Sequence, residues 1–167
     1  DTNLEQPLKV SYALGRANTV KAADRKGMNF KKEPGVHTSD DKDYYKNVWD
    51  KGHMAPAGSF SNNEENLKLT FSYLNSALQH EKLNRGAWKQ LEAAVRGWAE
   101  YEKLHVVNEI WFSPTSIKLP TGATVPDGFM KIIHALEWEK CFFFVNEAPT
   151  ETWENYEVPC NVEGIRG

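Results

Sequence analysis

Two cysteines in 167 residues are too few for a disulfide scaffold, and they leave the redox compartment open. No run of about 18 apolar residues occurs, so neither a membrane-spanning helix nor a membrane partner is expected. An excess of basic charge is missing too. Twenty Lys and Arg against 23 Asp and Glu give a net charge of −3. That excludes a coat protein that holds nucleic acid by bulk charge, but not an enzyme with a local cationic cleft. No signal peptide is visible within these residues, and internal repeat and low-complexity tract are absent. The chain starts at Asp1 and not Met, so targeting information is expected upstream of it.

What is present fits one folded domain over residues 1–167. The chain is 40% hydrophobic and carries six Trp, six Tyr and eight Phe, enough to bury a core without staples. Charge is uneven. Lys21, Arg25, Lys26, Lys31 and Lys32 face one nearby acid, Asp24, whereas Glu137, Glu139, Glu147, Glu151, Glu154, Glu157 and Glu163 oppose Lys140 and Arg166. The basic stretch is suited to phosphate, and the acidic end should face away from it; two solvated faces are the plainer reading. Cys141 opens an apolar run and is expected as a buried free thiol, with a Cys141–Cys160 bridge as the alternative.

Periodicity gives a mixed α+β pattern. Residues 9–14 alternate as a strand, and 15–47 are polar loop with short extended pieces. Ser61 with Glu64 three residues on marks a helix start, and Leu67 to Leu74 reads as strand. Trp88, Leu91, Val95 and Trp98 form one apolar stripe, predicting a helix over 84–102 capped by Asn84. Residues 104–107 and 110–112 read as strand, and 129–138 with 141–145 as a hairpin.

Two stretches carry chemistry. Trp49-Asp50-Lys51-Gly52-His53-Met54-Ala55-Pro56 sets a histidine between a glycine and a proline-ended turn. A neutral imidazole, with a free pKa of ~6.5, accepts a proton near neutrality. The second stretch runs through Asn75, then Leu83-Asn84-Arg85-Gly86-Ala87-Trp88, then Leu91-Glu92 and Arg96. Glu92 and Arg96 share a helix face at i, i+4. The carboxamide oxygen of Asn84 is a hard ligand of the kind Mg²⁺ accepts. Taken singly, these residues read as a filler histidine, a helix cap and an exposed ion pair.

Together they resemble the DNA/RNA non-specific endonuclease family, the ββα-metal nucleases that include the Serratia-type secreted nuclease and mitochondrial endonuclease G. Asp50-Lys51-Gly52-His53 matches the family's Asp-Arg-Gly-His. Tyr73-Leu74-Asn75, Leu83-Asn84-Arg85-Gly86-Ala87-Trp88, and Glu92 with Arg96 follow in order. Val125-Pro126-Asp127-Gly128-Phe129-Met130-Lys131 is a weaker match. The resemblance implies a ββα-metal (His-Me finger) core, with an antiparallel sheet flanked by helices, and a homodimer as one state found among relatives. It implies His53 as general base, Asn84 as direct metal ligand and Asn75 as a supporting asparagine. Glu92 would hold the metal's waters, and Arg96 the phosphate. Lys51, with Arg25 and Arg85 nearby, would complete a cationic substrate site. Mg²⁺, replaceable by Mn²⁺, is the implied cofactor, and DNA and RNA are the implied substrates, cut to 5′-phosphate and 3′-hydroxyl ends.

There are departures. Lys51 stands where the family has Arg and lacks the planar fork that grips phosphate twice. Leu78 stands where the family has Pro, and the family's upstream substrate arginine has no clear counterpart. The chain is shorter than typical members, so a C-terminal segment is expected beyond it. Relatives are mitochondrial or secreted, so the resemblance makes either compartment an expectation, and the sequence itself leaves the compartment open. The alternative functions are a weakened nuclease fold acting as a nucleic-acid-binding or assembly module, and a small-molecule phosphodiesterase.

Overall fold

Helix α3, Ala87–Ala99, is the organising element. Its Trp88, Leu91, Val95 and Ala99 are buried because spacings of three, four and seven return to one helix face. That face packs on a sheet row that includes Phe129, Ile133, Phe142 and Phe144. Trp88 meets Phe129 and Phe144 with ring centroids 5.6 Å apart in both pairs.

The structure, a computed structural model, describes residues 1–161; Glu163 and Arg166 of the charge pattern lie outside that range. The sheet beneath α3 has five antiparallel strands: β1 (Lys9–Leu14), β4 (Leu104–Trp111), β5 (Gly128–His134), β6 (Glu139–Val145) and β7 (Glu157–Val158). Their order is β1-β4-β5-β6-β7. A second sheet pairs β2 (Trp49–His53) with β3 (Ser76–His80), placing His53 opposite Ser76 and Lys51 opposite Leu78. The α+β class, the strand at 9–14 and the β5–β6 hairpin agree with the sequence reading. The polar stretch 15–47 is mostly loop, with 3-10 turns at Arg16–Thr19 and Asp41–Tyr44.

Four local readings are corrected. The strand expected over 67–74 is instead helix α1 (Glu64–Thr70), capped by Asn63, whose side chain accepts from Asn66 N. Leu67, Thr70 and Phe71 are buried while Leu69 is 74% exposed, a helical spacing that the alternation of Leu69, Phe71 and Tyr73 concealed. Helix 84–102 divides into α2 (Glu81–Asn84) and α3, with Gly86 in a non-helical conformation as the cap of α3. Asn84 therefore closes α2 and caps nothing. The expected strand pieces 104–107 and 110–112 form one strand. Cys141 is not a free thiol: it is bonded to Cys160, with Cα atoms 5.2 Å apart, a separation suited to a disulfide.

The small sheet is tied to the large one by side chains. Gln6 Oε1 accepts from Leu78 N. Asn146, just past β6, accepts from His80 N and donates to the carbonyls of Leu78 and Pro126. These contacts satisfy backbone groups on the side of β3 away from β2 and set the ribbon's position.

Candidate active site

His53 ends β2 where the chain must turn sharply into Pro56, and two asparagines, Asn75 and Asn108, fix that turn. Met54 donates to the carbonyl of Asn75 at 2.9 Å. The Asn75 carboxamide accepts from Ala55 N at 2.7 Å and donates to the carbonyls of Ala55 and Thr70, both at 2.9 Å. Asn108 on β4 donates to the Met54 carbonyl at 2.6 Å. The Asn75 carboxamide is committed to backbone, and it shapes the site from behind. Gly52 has an equally local reason. A Cβ there would lie 2.4 Å from Gln79 Oε1 and 3.2 Å from the Ala77 carbonyl.

The His53 ring is gripped by Phe30 and Phe71, with centroids 4.8 and 4.6 Å away. Its Nε2 is enclosed and unpaired. Burial, and then the charge of Arg25, push its pKa down to about 3. The imidazole is therefore neutral at neutral pH, the form that accepts a proton. Phe30, inside the basic stretch, carries no local signal of this role.

Asn84 reaches the site through the turn between α2 and α3. Its Nδ2 donates to Asp50 Oδ2 at 2.9 Å. A carboxylate only accepts, so the amide nitrogen must face Asp50, and the amide oxygen is left for another partner. Arg85 binds the same carboxylate through Nε at 2.9 Å and Nη2 at 2.7 Å. Two of its fork nitrogens are thus engaged with Asp50, while the side chain stays exposed at the cleft.

Lys51 is held as well. Its Nζ pairs with Asp41, which also takes the Tyr73 hydroxyl, and it lies 5.6 to 5.9 Å from the ring centroids of Tyr73, Phe30 and Tyr44. Those two donors hold the Asp41 carboxyl below its usual pKa range.

A cleft of about 670 Å³ brings His53, Asn84, Glu92, Arg96, Arg25 and Lys51 together. Six cations (Lys21, Arg25, Lys51, Arg85, Lys89 and Arg96) line it against two carboxylates, Glu92 and Glu100. None of the C-terminal acids within residues 1–161 lines this cleft, as the charge pattern anticipates. Arg96 packs over Gly58, where a Cβ would lie 3.1 Å from its Nη1. Burial raises the Glu92 pKa to about 7 against the opposing pull of Lys131, Arg96, Lys89 and Arg25.

Sequence reasoning missed Lys131, which is fully enclosed on β5. The signal was available: a lysine between Phe129 and Ile133 on the inward row of a strand is out of pattern.

The donor set suits a hydrated divalent cation. The cleft offers the freed Asn84 oxygen and the Glu92 carboxylate, both hard donors. Among the described residues, three His, Cys, Asp or Glu donors converge only at Glu139, Cys141 and Cys160, where both sulfurs are bonded to each other. A cleft with so few ligands fits an ion that keeps most of its own waters, as Mg²⁺ does.

The sequence profile of the DNA/RNA non-specific endonuclease family matches residues 1–163. Among curated proteins, the mitochondrial nuclease EXOG of Xenopus laevis is 32% identical over 119 residues, 70% of this chain and 32% of that protein. The mitochondrial nuclease of Saccharomyces cerevisiae is 29% identical over 131 residues, 68% of this chain and 40% of that protein. The chain thus spans about a third of the EXOG length it matches. The crystal structure of the EndoG/EndoGI complex superposes with a TM-score of 0.84 at 24% identity, covering 95% of this chain and 75% of that one. Profile, fold and cleft converge: the chain belongs to the DNA/RNA non-specific endonuclease family.

Proposed function

We propose that this chain is a divalent-metal-dependent endonuclease that hydrolyses DNA and RNA with little sequence preference. The observation that carries the proposal is the Asp50–Asn84 contact. It turns a neutral oxygen ligand outward in the same cleft as a neutral histidine.

His53 accepts a proton from water, and the resulting hydroxide attacks phosphorus as the bond to the 3′-oxygen breaks. Asn84 Oδ1 would hold Mg²⁺ or Mn²⁺ directly, and Glu92 would hold its waters. The bound cation would neutralise charge on the scissile phosphate and on the departing oxygen. Arg96 meets phosphate beside them, and Arg25 and Lys51 extend the cationic track. These are contacts to backbone, which position a nucleic acid without reading its bases. A phosphate entering the cleft exchanges with Asp41 for Lys51.

The relatives' names favour a mitochondrial site of action, and the disulfide favours an oxidising compartment. The Lys51–Asp41 pair favours a second reading, a binding module with weakened catalysis. A plasmid-nicking assay with Mg²⁺, with and without EDTA, run beside His53→Ala, separates the two. Metal-dependent nicking that collapses in the variant supports the nuclease. Equal nicking by both proteins overturns the base assignment, and none by either supports the module.

A further inference from the structure

A fully buried ammonium is rare and costly. Lys131 is such a group: it is 0% exposed and its Nζ has no hydrogen-bond partner. It lies 4.2 Å from the centroid of the Trp88 ring, a contact that offsets part of the cost. The alternation of β5 puts Lys131 in the row of Phe129 and Ile133, which packs against α3. Trp88 lies one helical turn before Glu92, so the ammonium over Trp88 sits beneath the Glu92 side of the cleft. The charge of Lys131 favours the ionised Glu92 carboxylate, as do those of Arg96, Lys89 and Arg25.

The cations around Glu92 are not equivalent. Arg96, Lys89 and Arg25 line the open cleft, where an entering phosphate competes for them. Lys131 is sealed from that cleft, and no substrate can draw it away. A purely structural residue in this row needs no charge; a leucine or methionine would pack beside Phe129 and Trp88 at lower desolvation cost.

We infer that Lys131 is a positioning residue for the proposed metal site: its sealed ammonium is the fixed counter-charge that anchors the Glu92 carboxylate at the cleft wall while phosphate occupies the other cations. The inference rests on the reading of Glu92 as the holder of the cation's waters.

The test is Mn²⁺ binding to the full chain without nucleic acid, followed by the paramagnetic resonance signal of free Mn²⁺. Wild type is compared with Lys131→Met, Glu92→Gln and the double variant, and the apo melting temperature of each checks the fold. Simple charge repulsion predicts that Lys131→Met binds Mn²⁺ more tightly, because a like charge has gone. The positioning role predicts the opposite sign, about tenfold weaker binding, the usual scale for losing a partner of a metal-holding group. It also predicts no added loss from Lys131→Met in the Glu92→Gln background, and recovery in Lys131→Arg. If Lys131→Met melts too low to titrate, Lys131→Gln replaces it in the same cycle. Wild-type Mn²⁺ binding with unchanged or tighter binding by the neutral variant overturns the role of Lys131 alone. A wild-type chain that holds no Mn²⁺ overturns the metal reading of the cleft, and this inference with it.

Discussion

Asp50 holds the amide nitrogen of Asn84 at 2.9 Å, so a residue two places before the signature glycine decides which end of the proposed ligand faces the cleft. Asp50→Asn removes that constraint, because an amide can both donate and accept and the Asn84 side chain can then turn over. The expected result is a Mg²⁺ requirement raised about tenfold or more, with the fold intact. A metal titration of nicking activity checks it; an unchanged curve would remove Asp50 from the site.

Asp41 and Lys51 supply a gain rather than a loss. Asp41 is largely exposed and pairs with Lys51, so Asp41→Asn should release one cation into the cleft without disturbing the core. Tighter DNA binding is expected, with a salt dependence steeper by about one unit. Titrations by fluorescence anisotropy at several salt concentrations measure both, and an unaltered slope would show that Lys51 does not reach phosphate.

Acid should weaken the fold through His53. Its folded-state pKa is about 3 against an unfolded value of ~6.5, so between these values the unfolded chain binds more protons. This contribution to stability is present above pH ~6.5 and is lost as pH falls. Glu92 acts the other way. Its folded pKa is raised to about 7, so its contribution is present below the free carboxyl range and is lost as pH rises toward 7. Melting curves of wild type and His53→Phe from pH 7 to pH 4 separate the two, and the variant should lose less stability than wild type. Parallel losses would contradict the burial of His53.

Gly52→Ala should cost about 1–3 kcal/mol, the usual scale for overpacking. The added methyl meets Gln79 and the Ala77 carbonyl on the paired strand, and β2 cannot move away without shifting His53. Urea unfolding measures the loss, and activity should fall further than stability does.

Reducing the Cys141–Cys160 bond, or replacing both residues by Ala, should cost about 3 kcal/mol for a loop of this size. The segment it closes seats Trp153 against Trp98 of α3 and Tyr156 against Phe144. Thermal melts with and without reductant give the shift directly.

The sequence was most readable where one periodicity or one motif stood alone. The stripe Trp88, Leu91, Val95 announced α3, and the matched motifs announced His53 and Asn84 together. It misled where two patterns overlapped. Leu67 and Phe71 satisfy a helix, Leu69 and Phe71 a strand, and the buried pocket formed with Ala57 chose the helix. Asn84 resembled a cap because a short helix ends where a long one begins, and Gly86 separates them. Arg85, Asn75 and Lys51 carry partners distant in sequence (Asp50, Ala55 and Asp41), and no local pattern encodes pairings made only by the fold. The disulfide is of the same kind: two cysteines 19 residues apart meet only once β7 lies against β6.

The side-chain contacts of Gln6 and Asn146 along β3 bear on how this protein behaves in crowded solution. A two-stranded ribbon is marginal alone, and an open strand edge invites another chain to add to it. Here carboxamides occupy the positions that an incoming strand would use. The ribbon bearing His53 therefore offers no template for intermolecular pairing on that side, and this protection against aggregation is lost with Asn146 before any residue of the cleft is touched.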